Sequence, residues 1–221
     1  MSDAPEAPPP VSVEDEAAAP APTLSAAVRK RPKPGERRVQ ILQTLAAMLE
    51  QPGAERITTA ALAARLDVSE AALSRHFASK AQMFEGLIEF IEGSVFTLVN
   101  QVIEREPSPS LQAQKITAVL LQFGEKNPGM TCVMVGDALV FEHERLSARM
   151  NQFFDRVESQ LRSSLRSAAE AAGSSTPTVD AQALASAITA LAIGRLQRYA
   201  RSGFKRLPTE HLEPALQRLS T

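Results

Sequence analysis

The segment from Val68 to Lys80, VSEAALSRHFASK, collects side chains that can donate hydrogen bonds to a nucleic acid. Arg75 can reach the edge of a base, and His76 can donate to a phosphate oxygen. Ser69 precedes a short apolar pattern that predicts a helix, whose free N–H groups would favour a phosphate. Lys80 adds a cation at the start of the next predicted helix. These types and spacings predict contacts with DNA.

The elements that must position these side chains are two short predicted helices, joined at Asp67-Val68 as a helix-turn-helix. Thr58 is the predicted N-cap of the first helix, and we expect DNA contacts from Thr58 and Thr59. Ser69 caps the second, which runs to about Phe77 and would enter the major groove N-terminus first. Ala72, Leu73 and Phe77 are predicted to face inward, and Ser69, Glu70, Ala71, Ser74 and Arg75 outward. An ordinary three-helix packing unit is the alternative.

Charge is unevenly distributed along the 221 residues, although the net charge is −1. Residues 1–28 carry five acidic side chains and no Lys or Arg, residues 29–80 carry ten basic and five acidic ones, and residues 81–221 are almost neutral. The run RKRPKPGERR, Arg29 to Arg38, predicts an arm that follows a DNA groove or backbone. The expected contacts in this run are Arg31, Arg37 and Arg38. A solubilising linker is the alternative.

Composition limits the class of protein. Apolar residues make up 44% of the chain. No run approaches the roughly 18 consecutive apolar residues that span a bilayer, so we expect no membrane contact. The N-terminal residues lack the basic and apolar regions of a signal peptide, so we expect none. Cys132 is the only cysteine, which excludes an intrachain disulfide and fits a reducing cytoplasm. Its apolar neighbours predict a buried, unreactive thiol.

The chain divides by composition and periodicity into four parts. They are an Ala/Pro-rich acidic tail that we expect to be disordered (1–28), a basic arm (29–35), a helix-turn-helix domain (36–82) and a helical body (83–221). The later predicted helices run from Lys80 to Arg105, Ser110 to Asn127, Thr131 to Leu139, Glu142 to Ala172, Val179 to Ser202 and Thr209 to Leu219. No strand is predicted, so the expected fold is all-α.

No catalytic or metal-binding pattern stands out. His143 in FEHER is flanked by Glu142 and Glu144, but adjacent side chains on a helix point apart, and no second His is near in sequence. There is no Gly-rich phosphate loop and no G-x-S-x-G nucleophile motif. We therefore expect no enzyme activity, no metal and no cofactor.

The run ITTAALAARLDVSEAALSRHFASKAQMF, Ile57 to Phe84, resembles the signature of the TetR family of DNA-binding proteins. That signature has a Thr-rich start to the second helix, a V-S turn and an L-Y-x-H-F-x-x-K ending. The resemblance implies a recognition helix from Glu70 to Arg75. It also places Thr58, Ser69, His76 and Lys80 on phosphate-contacting positions. Ser74 replaces the family's Tyr, so the aromatic contact with the DNA backbone is absent.

Further runs resemble the nucleoid occlusion factors within that family. They are IEFIE (Ile88 to Glu92), FGEKNPG (Phe123 to Gly129), ALVFE (Ala138 to Glu142) and NQFFDRVESQLR (Asn151 to Arg162). The resemblance implies a cytoplasmic, nucleoid-associated homodimer that binds specific chromosomal sites. It further implies that the DNA-bound form engages the C-terminal tail of the division protein FtsZ and blocks Z-ring assembly over unsegregated DNA.

The same resemblance implies an FtsZ groove between the fourth and fifth helices. The matching positions are Phe90, Leu98, Val119, Lys126 and Asn127. Phe90 lies off the main apolar stripe of its helix and offers an anchor, and Lys126 can pair with an acidic peptide. Core packing is the alternative for Phe90. The predicted core stripe of this helix is Phe84, Leu87, Ile88, Ile91, Val95, Leu98 and Val102. Leu98 and Gln122 replace an Arg and a Gly of the family.

The Ala-rich eighth helix predicts a close-packing face for a dimer. The face consists of Ala181, Leu184, Ala185, Ile188, Leu191 and Ala192. Burial of this face within the monomer is the alternative. Two-fold symmetry would make the DNA site palindromic, and on DNA we also expect a dimer of dimers.

Two other functions are compatible with the same helix-turn-helix. The chain could be a ligand-responsive TetR-type transcriptional repressor, which requires an apolar cavity in the body. It could instead be a structural nucleoid protein that binds DNA without a signalling partner.

Overall fold

Helices account for every regular element in the part of the chain that the computed structural model describes, which is residue 33, residues 35–52 and residues 56–220. The predicted all-α fold is confirmed. Residues 1–28 and Arg31 lie outside the described residues. The helices are α1 (Glu36–Leu49), α2 (Thr59–Leu66), α3 (Glu70–Ser74), α4 (Lys80–Arg105), α5 (Pro109–Lys126), α6 (Pro128–Met134), α7 (Glu144–Ala171), α8 (Pro177–Arg201) and α9 (Leu212–Leu219), with a 3-10 turn at Asp137–Leu139.

Side-chain caps fix the starts of the helices around the recognition segment. The hydroxyls of Thr58, Ser69 and Ser79 each accept a hydrogen bond from the backbone N–H three residues later, at 3.1, 3.2 and 3.2 Å. Each cap satisfies an N–H that has no partner within its helix. The Gln82 side chain accepts from the Ala78 N–H at 3.0 Å, one residue earlier than in the usual capping box. The caps predicted at Thr58 and Ser69 are confirmed.

Proline begins helices here rather than ending them. Pro128 is the first residue of α6 and Pro177 the first of α8, whereas the predicted helices began at Thr131 and Val179. Proline suits this position because its missing N–H would have no intrahelical partner there. The recognition helix α3 is shorter than predicted and ends at Ser74 rather than Phe77. The Ser74 hydroxyl donates to the Glu70 carbonyl at 3.0 Å, a back-bond that disfavours helix continuation.

One apolar core connects the helix-turn-helix to the rest of the described chain. α7 and α8 pack as a helical hairpin, α5 packs on both, and α4 runs from the recognition segment into this layer. α4 and α8 are long and apolar enough, by length and composition, to cross a membrane. One face of each of these two helices is buried in the core. The buried positions include Phe84, Ile88, Ile91 and Val95 on α4 and Ala181, Ala185, Ala192 and Leu196 on α8.

The closest approach between α1 and α6 occurs at Gly129. A Cβ atom at this position would lie 2.1 Å from the carbonyl oxygen of Ala46. Only glycine therefore allows these two backbones to meet at this distance. This contact sets the position of the first helix of the helix-turn-helix against the body.

The predicted dimer face of α8 is largely used inside the monomer. Ala181, Ala185, Ile188 and Ala192 are all buried, so the prediction that they form the dimer interface is wrong. Their small side chains instead allow α8 to pack closely against the neighbouring helices. The opposite face of α8 exposes a different set of small or apolar side chains, Val179, Ala183, Ala187 and Ala190.

Candidate DNA-binding and partner-binding surfaces

The recognition helix presents the outward face that its periodicity predicts. Leu73 and Phe77 are buried, and the exposed side chains are Ser69, Glu70, Ala71, Ser74 and Arg75. The Arg75 side chain has no hydrogen-bond or ion-pair partner among the described residues. Its guanidinium group is therefore available for an external acceptor. A planar guanidinium can hold two acceptors on the edge of a guanine.

A hydrogen bond joins the two helices of the helix-turn-helix. The Thr59 hydroxyl donates to the carboxylate of Glu70 at 2.6 Å. Glu70 is the first residue of α3, where the helix dipole stabilises a negative charge. The turn between the helices is tight because Asp67 adopts a left-handed conformation, with φ of 54°. The position of the recognition helix relative to α2 is thus fixed before any ligand binds.

Arg38 braces α1 against the recognition segment. Its guanidinium group donates to the carbonyl oxygen of His76 and lies 4.1 Å from the centre of the Phe77 ring. Sequence analysis predicted only a DNA contact for this residue. The neighbouring Arg37 donates to the Gln40 side chain at 2.7 Å on the exposed side of α1. The imidazole of His76 is partly buried.

Lys80 has an acidic partner that was not predicted from the sequence. Its ammonium group forms an ion pair with Glu142, in the segment before α7, and lies 5.7 Å from the centre of the Phe84 ring. The fold brings together two residues that are far apart in the chain. A DNA phosphate at Lys80 would have to compete with this carboxylate.

Phe90 lies at the surface between α4 and α5, with 50% of its side chain exposed. Its ring packs against the buried ring of Phe123, with centroids 6.1 Å apart. Simple core packing therefore does not describe Phe90. Val119 is partly buried one helical turn before Phe123. Phe123 begins the FGEKNPG motif but was not among the predicted groove residues. Its spacing of four residues from Val119 was the available signal.

The other groove candidates lie along the two helices on either side. Leu98 is 37% exposed, and Val99 is buried in its place, so the prediction that Leu98 belongs to the core stripe is wrong. Leu98 is roughly 12 Å further along α4 than Phe90, at 1.5 Å per residue. Lys126 is exposed at the end of α5. The Asn127 side chain donates to the Phe123 carbonyl at 2.8 Å, which closes that helix.

The C-terminal end of α5 is also held from the other side. The Tyr199 hydroxyl donates to the carbonyl oxygen of Glu125 at 2.8 Å, and the Thr209 hydroxyl donates to the Glu125 carboxylate at 2.5 Å. These bonds connect α8 and the segment before α9 to the residue before Lys126. The residue next to Lys126 is therefore tied to α8 and to the segment before α9.

Two residues with potential chemistry have structural roles. The His143 imidazole caps α7 by accepting from the Arg145 N–H at 3.1 Å. Cys132 is partly buried, and desolvation, with smaller effects from Asp137 and Glu50, raises the pKa of its thiol to about 11. The thiol is therefore protonated near neutral pH, which makes it a poor nucleophile.

Both parts of the chain match models of known families. The model described as bacterial regulatory proteins of the TetR family matches residues 41–87. The SlmA-like model, described as a tetracyclin repressor-like C-terminal domain, matches residues 110–220.

Similar proteins agree with these matches. The nucleoid occlusion factor SlmA of Photobacterium profundum is 49% identical over 189 residues, which cover 85% of this chain and 96% of that protein. SlmA of Idiomarina loihiensis is 49% identical over 181 residues, which cover 82% and 92%. The crystal structure of a TetR-like transcriptional regulator from Rhodococcus sp. RHA1 aligns with a TM-score of 0.68 at 18% identity, covering 86% of this chain and 97% of that one.

The solved structure supports the fold, and the relatives support the family. The resemblance seen in the sequence motifs is thereby confirmed. The chain belongs to the SlmA family of nucleoid occlusion factors, a group of DNA-binding regulators rather than enzymes within the TetR family.

Proposed function

We propose that this chain is a DNA-dependent inhibitor of cell division. It binds palindromic chromosomal sites as a homodimer, engages the C-terminal tail of FtsZ while on DNA, and so blocks Z-ring assembly over the nucleoid. The observation that carries the proposal is the half-exposed Phe90 on α4, the same helix that begins at Lys80 beside the recognition segment. One continuous helix therefore connects the DNA-binding part to the partner groove.

For DNA binding, the proposal uses the exposed face of the recognition helix and the helix ends beside it. Arg75 contacts the edge of a base, while N–H groups at the helix N-termini near Thr58 and Ser69 donate to phosphate oxygens. The remaining proposed contacts are Thr59, Glu70, Ala71, Ser74, His76, Lys80 and the basic residues Arg31, Arg37 and Arg38. Arg38 has a second role, because it positions the recognition segment through His76 and Phe77.

For partner binding, the proposal uses the groove between α4 and α5. An apolar side chain of the FtsZ tail covers Phe90 and the neighbouring Val119, while Lys126 pairs with an acidic residue of the tail. Leu98 extends the apolar wall, and Asn127 fixes the groove end. The DNA-binding part (36–82) and the partner-binding part (83–221) meet within α4. Because α4 is one continuous helix, it connects the two parts without a hinge.

For the dimer, the proposal uses the face of α8 that the monomer leaves exposed. Val179, Ala183, Ala187 and Ala190 recur at helical spacing along this face. Small side chains at such a spacing allow close packing against the same helix of a second copy. Two such dimers on one DNA site would give the expected dimer of dimers.

The test is a titration of a fluorescent peptide that copies the C-terminal tail of FtsZ, followed by anisotropy, with and without cognate duplex. We expect binding in the micromolar range that tightens when the duplex is present. A peptide that stays free at several hundred micromolar, while the duplex binds, would contradict partner binding. That outcome would favour a purely structural nucleoid protein.

A ligand-responsive repressor is the second candidate, and one cavity favours it. A cleft of about 700 Å³ lies between the end of α1 and the C-terminal end of α8. Such volumes accommodate small molecules in proteins. Its lining is mixed, because Leu49, Phe141 and Phe204 are apolar whereas Glu50, Asp137 and Arg201 are charged. This function predicts that a ligand in the cleft releases the DNA, which a screen of apolar metabolites by duplex anisotropy would reveal.

A further inference from the structure

Lys80, one of the proposed DNA contacts, forms an ion pair with Glu142. The side chains of the two residues are 27% and 11% exposed, so the pair is at the edge of the protein surface. Lys80 is the first residue of α4, and the recognition helix α3 ends six residues earlier at Ser74. An ammonium group at the N-terminus of a helix, next to a recognition helix, is well placed for a phosphate.

The position of Glu142 is fixed by contacts on the two sides of the helix-turn-helix. Its own backbone N–H donates to the Leu139 carbonyl at 3.0 Å. The ring of its neighbour Phe141 lies 5.3 Å from the guanidinium group of Arg56, two residues before the cap of α2. The segment that carries Glu142 thus touches the chain just before α2 and at the start of α4.

A carboxylate and a phosphate repel each other. If a phosphate takes the ammonium group of Lys80, the carboxylate of Glu142 loses its partner beside a polyanion. Binding of any duplex at this point therefore requires the loss of an existing ion pair. The cost does not depend on the base sequence, because Lys80 contacts the backbone rather than a base.

We infer that Glu142 is an affinity-setting residue that competes with DNA phosphate for Lys80. It lowers the affinity for all duplexes by a similar factor, so that at a given protein concentration only sites with additional base contacts are occupied. This inference rests on the proposed DNA binding. Glu142 lies outside the helix-turn-helix, in the helical body, and would lower the affinity for DNA from there.

The test compares Glu142→Gln with Glu144→Gln, an exposed control two residues away that removes the same charge. Affinities for the cognate duplex and for a scrambled duplex are measured over a range of NaCl concentrations. Glu142→Gln is expected to raise both affinities about three- to tenfold at low salt and to steepen the salt dependence by about 0.9 in the log–log slope. Glu144→Gln should change them less than twofold.

Two further variants show whether the effect acts through Lys80. In a Lys80→Gln background, Glu142→Gln should raise affinity much less than in the natural chain, because only the direct repulsion between carboxylate and phosphate remains to be removed. Glu142→Asp keeps the charge and should leave the affinity near that of the natural chain, and a thermal melt confirms that each variant is folded.

Equal effects of Glu142→Gln and Glu144→Gln, or an effect of Glu142→Gln that is undiminished without Lys80, would overturn the inference. A natural chain that binds no duplex would instead overturn the proposed function.

Discussion

The ring of Phe90 rests against the buried ring of Phe123, 6.1 Å between centroids, while half of the Phe90 side chain remains exposed to solvent. The exposed half of the Phe90 side chain would become buried if a partner covered it. The ring of Phe123 supports the Phe90 ring from the core side. This pair is the structural basis for placing the partner groove between α4 and α5.

The first prediction concerns the anchor of that groove. Phe90→Ala should weaken binding of the FtsZ tail peptide by about 1–2 kcal/mol, because only the exposed half of the ring remains to be covered. Peptide anisotropy measures the loss. Leu111→Ala removes another exposed apolar side chain at the other end of α5 and should leave peptide affinity unchanged. Equal losses in the two variants would remove Phe90 from the groove. Affinity for DNA should be the same in both.

The second prediction concerns base recognition. Arg75→Ala should weaken binding to the cognate duplex by about 1–3 kcal/mol and relax preference at one base position, if its guanidinium holds a base edge. Competition between cognate and scrambled duplexes measures the preference. Arg198→Ala, an exposed arginine on α8, is the control. An unchanged preference after Arg75→Ala would show that this side chain contacts only phosphate or solvent.

The third prediction concerns the contact between α1 and α6. Gly129→Ala should destabilise the fold by about 1–3 kcal/mol, because the added methyl group meets a backbone oxygen that cannot rotate away. Chemical denaturation measures the change. Gly93→Ala is the matched control, because a Cβ at Gly93 meets nothing within 4 Å. That control should gain about 0.5–1 kcal/mol from reduced chain entropy and better helix propensity. A neutral Gly129→Ala would contradict the close approach.

The fourth prediction concerns the thiol of Cys132. Because its pKa is raised to about 11, its alkylation by iodoacetamide at pH 8 should be about 100-fold slower than that of an unperturbed thiol. The rate should rise as the pH approaches 11. Folding raises the pKa of the Cys132 thiol above its usual value of 9.0. The contribution of the protonated thiol to the free energy of unfolding is therefore complete below pH 9.0 and is lost as the pH rises toward 11. Rapid alkylation of the folded protein at pH 8 would contradict the burial of the thiol.

Local features of this fold were predictable from the sequence because they depend on neighbours in the chain. The caps at Thr58, Ser69 and Ser79 require only a hydroxyl side chain three residues before a free N–H. The outward face of α3 requires only helical periodicity. The helices that begin at Pro128 and Pro177 were predicted to begin later, at Thr131 and Val179, although proline is favoured at the first position of a helix.

Features that depend on distant parts of the chain were not predictable. Nothing in the sequence around Lys80 or around Glu142 indicates that the two residues form an ion pair. The apolar face of α8 was predicted as a dimer interface and is instead buried within the monomer, because periodicity does not say whether a face packs on its own chain or on a second copy. A DNA contact was predicted for Arg38 from its charge alone, whereas its contact with the Phe77 ring arises from the packing of α1 against the recognition segment.

The central claim is that DNA binding and FtsZ inhibition belong to one protein. Sedimentation of GTP-assembled FtsZ polymers, with this chain and either cognate or scrambled duplex, tests it most directly. We expect the amount of pelleted FtsZ to fall strongly with the cognate duplex and to fall little with the scrambled one. With the Phe90→Ala variant and the cognate duplex, it should return to the level seen without this protein. The same amount of pelleted polymer under all these conditions, with the cognate duplex bound, would contradict it.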